Sequence, residues 1–325
     1  MWYAIGIAAA LAATFVLGLS YYCYRRTFYE PPRKKKPEGE IPLPEGEIYE
    51  PFHPTMEQWA RETLQMPRQR FSIRSFDGLT LWSSYYEYAP GAPVEIMFHG
   101  YRGSVERDLA GGVQRCFRLG RSCLLVEQRC SGESEGRSIT FGIREHRDCI
   151  AWAEFMADRF GPDVKLILTG LSMGAATVLT AAGKPLPDTV IGILADCSYS
   201  TPKEIIQKVI GEMGLPPKLS YPFVRLGARL YGGFDLEETS PMQAMESCTL
   251  PVLFFHGEAD DYVPCDMSRR LFAACPSRKQ LVTVPGAGHG LCYLMDDAGY
   301  MKAAREFFGP EGTYRGESLD DCLKI

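Results

Sequence analysis

Val164-Lys165-Leu166-Ile167-Leu168-Thr169-Gly170-Leu171-Ser172-Met173-Gly174-Ala175-Ala176 is the stretch from which the rest of the chain is read. An apolar, partly β-branched run, the mark of a buried strand, breaks at a glycine and passes at once into small residues of helical character. Between the two stands Ser172. A residue held in so tight a strand-to-helix turn takes a strained backbone, tolerated only where its neighbours two before and two after lack side chains. Gly170 and Gly174 meet that condition. The resulting GxSxG pattern lifts the Ser172 hydroxyl clear of the sheet and sets it at a helix N-terminus, where unpaired amides favour developing negative charge.

The chain has 325 residues, 46% hydrophobic and 23% charged, enough for one sizeable core with additions. A net charge of -5 gives no reason to expect a polyanion such as nucleic acid as partner. There are 11 cysteines, an odd number, with no CxxC pair. Cys116, Cys123 and Cys130 recur every seven residues but straddle different predicted elements, so they read as reduced, packed thiols; a disulfide framework is the alternative. Five scattered histidines without HxH or HExxH spacing make no metal site.

Met1 to Tyr24 contains no charged side chain, and Trp2 to Leu19 is nearly continuous apolar sequence. That is the length of a membrane-crossing helix, with Trp2 and Tyr3 at one end and Tyr21, Tyr22 and Tyr24 at the other as interfacial aromatics. Arg25, Arg26, Arg33, Lys34, Lys35 and Lys36 all follow the apolar run, an order that puts the remainder of the chain in the cytoplasm. The reading is an uncleaved anchor over 1–24; a signal peptide and a buried helix are the alternatives. Residues 25–54 are basic, then proline-rich, and repeat themselves: Pro37-Glu38-Gly39-Glu40-Ile41 returns as Pro44-Glu45-Gly46-Glu47-Ile48. Such a segment reads as a semi-rigid spacer between membrane and body, with a docking motif as the alternative.

The body runs over 55–308. Thr55-Met56-Glu57-Gln58 fits a capping box opening a helix to about Gln65. An antiparallel hairpin follows, Phe71 to Phe76 and Leu79 to Tyr88 around an Asp77-Gly78 turn. Strands at about 94–99, 121–127, 164–169, 190–195, 252–256 and 280–284 then alternate with helical segments, the signature of an α/β fold with a mostly parallel sheet covered on both faces. The stretch of about 198–250 is far longer and more apolar than a simple crossover needs. From Gly309 the tail, 309–325, reads as polar and poorly structured.

With Ser172 in this context, the chain resembles the α/β-hydrolase family, over about residues 70–308. That resemblance implies eight strands, the second antiparallel, and a helical cap in the 198–250 insertion. Hydrolases of this type place nucleophile, acid and histidine in the order Ser, Asp or Glu, His, with the acid after a late strand and the histidine after the last. His256-Gly257-Glu258-Ala259-Asp260-Asp261-Tyr262-Val263-Pro264 matches the HGxxDxxVP pattern, with Asp260 in the acid position and Asp261 and Asp196 as alternatives. His289 stands alone among the glycines of Pro285 to Gly290. The loop Phe98-His99-Gly100-Tyr101-Arg102-Gly103 resembles the oxyanion loop, which names the Tyr101 amide, with that of Met173, as oxyanion donors. His99 and His256 are taken as packing or loop-shaping residues, and His53 and His146 lie outside this context. Gln128 to Gly136 resembles the DxRGxGxSxG loop but has Gln128 where Asp is usual and Cys130 where Gly is usual.

A serine hydroxyl needs a base that titrates near the working pH, and the base needs an orienting carboxylate. The expectation is a membrane-anchored, cytoplasm-facing serine hydrolase, similar to serine aminopeptidase-like and acylglycerol lipase-like bacterial proteins, acting on a small-molecule acyl ester, lipid or thioester without cofactor or metal. Peptide or amide cleavage, or an inactive binding module on the same fold, are the alternatives.

Overall fold

The computed structural model describes residues 1–31 and 41–314. Arg33 to Lys36, the first copy of the repeat up to Glu40, and the tail beyond Tyr314 lie outside the described residues. The strands are β1 (Gln69–Arg74), β2 (Thr80–Tyr86), β3 (Val94–Phe98), β4 (Ser122–Glu127), β5 (Leu166–Leu171), β6 (Val190–Asp196), β7 (Val252–Gly257) and β8 (Lys279–Val284). They form one sheet in the order β1-β2-β4-β3-β5-β6-β7-β8. β2 runs antiparallel to β1 and β4, and every later pairing is parallel. The strand series expected from the sequence therefore holds to within two or three residues at each end.

Eleven α-helices are described: α1 (Trp2–Thr27), α2 (His53–Gln65), α3 (Ala110–Arg118), α4 (Glu145–Phe160), α5 (Met173–Ala181), α6 (Pro202–Glu212), α7 (Pro217–Gly227), α8 (Pro241–Met245), α9 (Cys265–Ala274), α10 (Cys292–Met295) and α11 (Asp297–Phe308). Because successive strand side chains point to opposite faces, each central strand feeds two cores. Ile96, Leu168 and Phe254 face Trp152 of α4, Leu179 of α5 and Leu271 of α9. Ile167, Leu194 and Phe255 face Tyr300 and Phe307 of α11, and Met97 faces Val113 and Cys116 of α3. Burial on both faces is why β4 and β7 carry the unbroken apolar runs Cys123 to Val126 and Val252 to Phe255, while β1, at the sheet edge, carries none; in β3 the buried Glu95 interrupts the run.

Two local expectations give way. α2 starts at His53 with Pro54 in its first turn, and no side chain caps it, so Thr55 lies inside the helix and the capping box is unused. The tail does not loosen at Gly309: a 3-10 turn over Gly309–Gly312 packs back, Arg121 Nε donates to the Gly312 carbonyl, and Tyr314 pairs with Gly120. All ten described cysteines are free thiols.

The 198–250 insertion is helical, as expected, and it receives the end of α1. α1 is long and apolar enough to cross a membrane, with most of its residues exposed. Its last turns are not free: Ser20 and Tyr24 are buried, and Phe28 just beyond is wholly enclosed, edge-on to Phe141 and Phe234 at 5.8 and 5.2 Å. Tyr24 and Phe28 join α6 and α7 in one apolar cluster. The close crossing of α1 and α7 depends on Gly227, where a Cβ would stand 2.3 Å from the Ser20 carbonyl oxygen. Gly227→Val is therefore expected to destabilise the protein by about 1–3 kcal/mol through overpacking. Thermal unfolding in detergent checks this, and an unchanged midpoint would mean that helix and insertion are not docked.

Candidate active site

Ser172 occupies the turn between β5 and α5 with φ 56° and ψ -116°, a left-handed backbone rare for a residue with a side chain. The two flanking glycines are steric requirements. A Cβ on Gly170 would lie 2.2 Å from the Gly174 carbonyl, and one on Gly174 would lie 2.0 Å from the Phe98 carbonyl oxygen. The helix thus starts hard against the end of β3, which is also where the 98–103 loop begins. The Ser172 amide donates to the Asp196 carbonyl at 2.9 Å, pinning the turn to β6.

His289 reaches Ser172 from the loop after β8. Its Nε2 lies 2.9 Å from Ser172 Oγ and its Nδ1 lies 2.7 Å from Asp260 Oδ2. With the proton on Nδ1 donated to Asp260, Nε2 is left to accept the serine hydroxyl. Asp260 is buried after β7, where its Oδ1 accepts the amides of Tyr262 at 3.0 Å and Val263 at 2.7 Å. Burial alone would push the Asp260 carboxyl up, but hydrogen bonds from His256 and His289 and the charge of His289 outweigh it and hold the group down to about 2. The alternatives are elsewhere. Asp261 is exposed. Asp196 is buried at the end of β6, and its Oδ1 has no hydrogen-bond partner.

The Tyr101 loop passes directly beside Ser172, since a Cβ on Gly100 would lie 3.5 Å from Ser172 Cβ. Among the described residues, neither the Tyr101 nor the Met173 amide has an acceptor outside regular secondary structure, which leaves both available to a ligand. The loop is braced from three directions. Gly100 N–H donates to Asp108 Oδ2 at 2.9 Å. Gln128 donates through its backbone to His99 Nε2 and through its side chain to the His99 carbonyl, so this departure from the usual Asp fastens the loop. The Tyr101 phenol donates to the Thr27 carbonyl at the end of α1 at 2.7 Å, a role its main-chain assignment did not foresee. Cys130, the second departure, adopts φ 68° where a glycine is usual.

Several neighbours were not singled out by sequence reasoning. His256 does more than shape its loop: its Nε2 is 2.7 Å from the Val263 carbonyl and 3.3 Å from Asp260 Oδ2, while Nδ1 meets Ser268 Oγ at 2.6 Å. The Tyr262 ring lies edge-on to His289 at 5.1 Å. Cys197 Sγ is 4.0 Å from His289 Nε2, and burial pushes its thiol up, away from a nucleophilic thiolate. Cys197, Asp260 and His289 are the one group of metal-binding side-chain types that converges among the described residues, and two of the three are already bonded to each other.

The segment expected to be a spacer enters the site instead. The second repeat copy lines a cavity of about 580 Å³ whose wall also holds Ser172 and His289. Tyr49 donates its hydroxyl to the His289 carbonyl at 3.0 Å, and His53 Nε2 meets the Pro44 carbonyl at 2.9 Å. Upstream, Arg102 binds the carbonyls of Arg26 and Tyr29 and pairs with Glu30. Proline and glutamate cannot make a core of their own, but Tyr49 packs, half-buried, against the core of the body. No residue of the 198–250 insertion lines this cavity; Pro44 to Tyr49, Met56 and Trp59 do.

Residues 96–303 match the model of the alpha/beta hydrolase family. The chain is 27% identical over 245 residues to the Bacillus subtilis protein YqkD, covering 75% of this chain and 80% of that protein. Among solved structures it is similar to the Pyrococcus furiosus esterase Pf2001, with a TM-score of 0.64 and 17% identity over 83% of this chain and 96% of that one. It also resembles Est1E from Butyrivibrio proteoclasticus, solved with ferulic acid bound, with a TM-score of 0.57 and 20% identity over 73% and 97%. Sheet order, serine elbow and sequence match agree: the chain belongs to the α/β-hydrolase family.

Proposed function

We propose that this protein is a membrane-tethered serine hydrolase that cleaves an acyl ester through Ser172, His289 and Asp260. The observation that carries the reading is the continuous line of contacts from Ser172 Oγ through the imidazole to Asp260, at 2.9 and 2.7 Å. Ser172 Oγ attacks the acyl carbonyl as its proton passes to His289 Nε2, and the oxyanion accepts the Met173 and Tyr101 amides. Collapse breaks the ester bond, the leaving oxygen takes the proton from Nε2, and the acyl group stays on Oγ. Water then gives a proton to Nε2 while its oxygen attacks the acyl carbon, releasing the acid and restoring the serine. Asp260 holds the ring and stabilises the imidazolium without itself being protonated.

The membrane assignment rests on α1 and on what surrounds its end. Met213, Leu215, Leu219 and Leu230 of the insertion are exposed, and the Tyr231 hydroxyl next to Leu230 bonds the Leu17 carbonyl of α1. Exposed apolar side chains alongside an apolar helix suit a bilayer surface. Arg25 and Arg26 at the helix end favour the cytoplasmic face for the body. Apolar cavity walls such as Met56, Leu109 and Leu171 suit a hydrophobic acyl compound.

Three measurements test this reading. Wild-type protein should hydrolyse p-nitrophenyl esters, and Ser172→Ala should lower kcat by at least about a thousandfold; turnover confined to aminoacyl amides would move the assignment to an amidase. For Asp260→Asn the sign of the pH effect is set by the depressed carboxyl. The ionised form is preferred when folded, so its stabilisation is present above the ordinary carboxylate value of 3.8 and is lost as pH falls through about 2. The wild type should therefore unfold at a higher temperature than Asp260→Asn at neutral pH, with the gap closing between pH 4 and 2; a gap independent of pH contradicts an ionised Asp260. A C-terminal reporter active only outside the cell should give no signal, and a strong signal would reverse the topology.

A further inference from the structure

The cavity below Ser172 has a polar floor. It runs down the face of the sheet covered by α3 and α11, where Thr169, Leu194, Arg115 and Tyr300 line it. Thr169 precedes Ser172 by three residues, which places this floor about 10 Å from the nucleophile at roughly 3.3 Å per residue along β5.

Arg115 is 4% exposed, and among the described residues its only ion pair is with Glu95, through Nη2. Glu95 is shared: Arg121 Nη1 holds its other oxygen at 2.5 Å, and the Thr169 hydroxyl donates to the first at 3.0 Å. Burial would push the Glu95 carboxyl up, but the two guanidiniums outweigh it and hold it down to about 2, so Glu95 is ionised and already fully engaged. Arg121 spends its other nitrogens on the Gly312 and Ala304 carbonyls. Arg115 differs. Its Nη1 is buried with no hydrogen-bond partner, and its guanidinium faces the Tyr300 ring at 5.6 Å.

Two guanidiniums sharing one carboxylate leave one surplus positive charge at this end of the cavity, with both N–H groups of Arg115 Nη1 unpaired. An uncompensated buried charge is costly, and an arriving anion removes that cost. Asp196 also lines the cavity with its Oδ1 unpartnered; burial pushes its carboxyl up, toward the neutral form, and it makes no ion pair with Arg115. The other acids on the wall, Glu45, Glu47 and Asp261, are exposed. The remaining charged pair on the wall, Arg107 with Asp108, is closed on itself at 2.6 Å.

We infer that Arg115 is a specificity-determining residue, and that the acyl chain cleaved at Ser172 ends in a carboxylate seated on Arg115 Nη1: the substrate is a monoester of a medium-length dicarboxylic acid. This rests on the hydrolase reading above. Apolar walls hold the methylene chain, and the carboxylate takes the unused guanidinium donor at its end.

The test compares kcat/KM for p-nitrophenyl hemi-esters of adipic and suberic acid with the hexanoate and octanoate esters of matched length. Wild-type protein should favour at least one hemi-ester by at least about tenfold, the scale of one hydrogen bond to a charged group, chiefly through KM. Arg115→Met should bring that ratio to one or below, and Arg115→Lys should restore part of it. Moving the carboxylate to the alcohol half, in acetate esters of ω-hydroxy acids, should give no such gain. Because the ratio is taken within one protein, a loss of overall activity in a variant does not disturb it, and if Arg115→Met does not fold the wild-type ratio still decides. Wild-type turnover of all four esters without preference for a hemi-ester overturns the Arg115 assignment alone; absence of turnover on any ester overturns the hydrolase reading beneath it.

Discussion

The structure depends on one steric constraint, the contact between the start of α5 and the end of β3. Gly174 lets the helix approach so closely that any side chain there would collide with the Phe98 carbonyl. Gly170 in turn makes room for Gly174. The strained Ser172 backbone at φ 56° follows from holding the turn this tight. From that contact come the Ser172 hydroxyl presented to His289 at the C-terminal end of β5, the Met173 amide at a helix start, and the 98–103 loop alongside. A sheet of eight strands and the helices covering it serve, for this site, to hold that crossing in place.

Around the elbow, the supporting groups work in pairs. His256 steadies the loop that carries Asp260, and Asp260 orients His289. Gln128 and Asp108 brace the loop that carries Tyr101. The last member of each chain of support lies near the N-terminus: Tyr49 holds the His289 carbonyl, and Thr27 holds the Tyr101 phenol. The apolar N-terminal helix and the site are thus separate in sequence but joined by direct hydrogen bonds.

Much of this was legible in the residues. Buried parallel strands announce themselves as apolar runs, and Ser172, Asp260 and His289 stand in short glycine-rich punctuations between them; the structure brings all three together. What was not legible has a common cause. Pro44 to Tyr49 is too polar to fold by itself, and only the groove offered by the body makes Tyr49 half-buried, so composition alone reads it as a spacer. The capping box at Thr55 is a valid local signal overridden by Pro54 and the turn before it. Arg115 reads as one more basic residue on an amphipathic helix, and its significance exists only once β3 sets Glu95 beneath it. The insertion reads as a cover for the site, yet Ile205, Ile206, Ile210, Tyr221 and Val224 pack with the end of α1 and the start of α5, and none of them lines the cavity.

The central claim is that Ser172 is a nucleophile activated by His289. Exposure of the folded protein to a fluorophosphonate, followed by peptide mass spectrometry, measures this without assuming a substrate. The account predicts one adduct, on the peptide containing Ser172, formed rapidly in the wild type and at least about a hundredfold more slowly in His289→Ala. A folded wild-type protein that takes up no label, or takes it up on another residue, would contradict it.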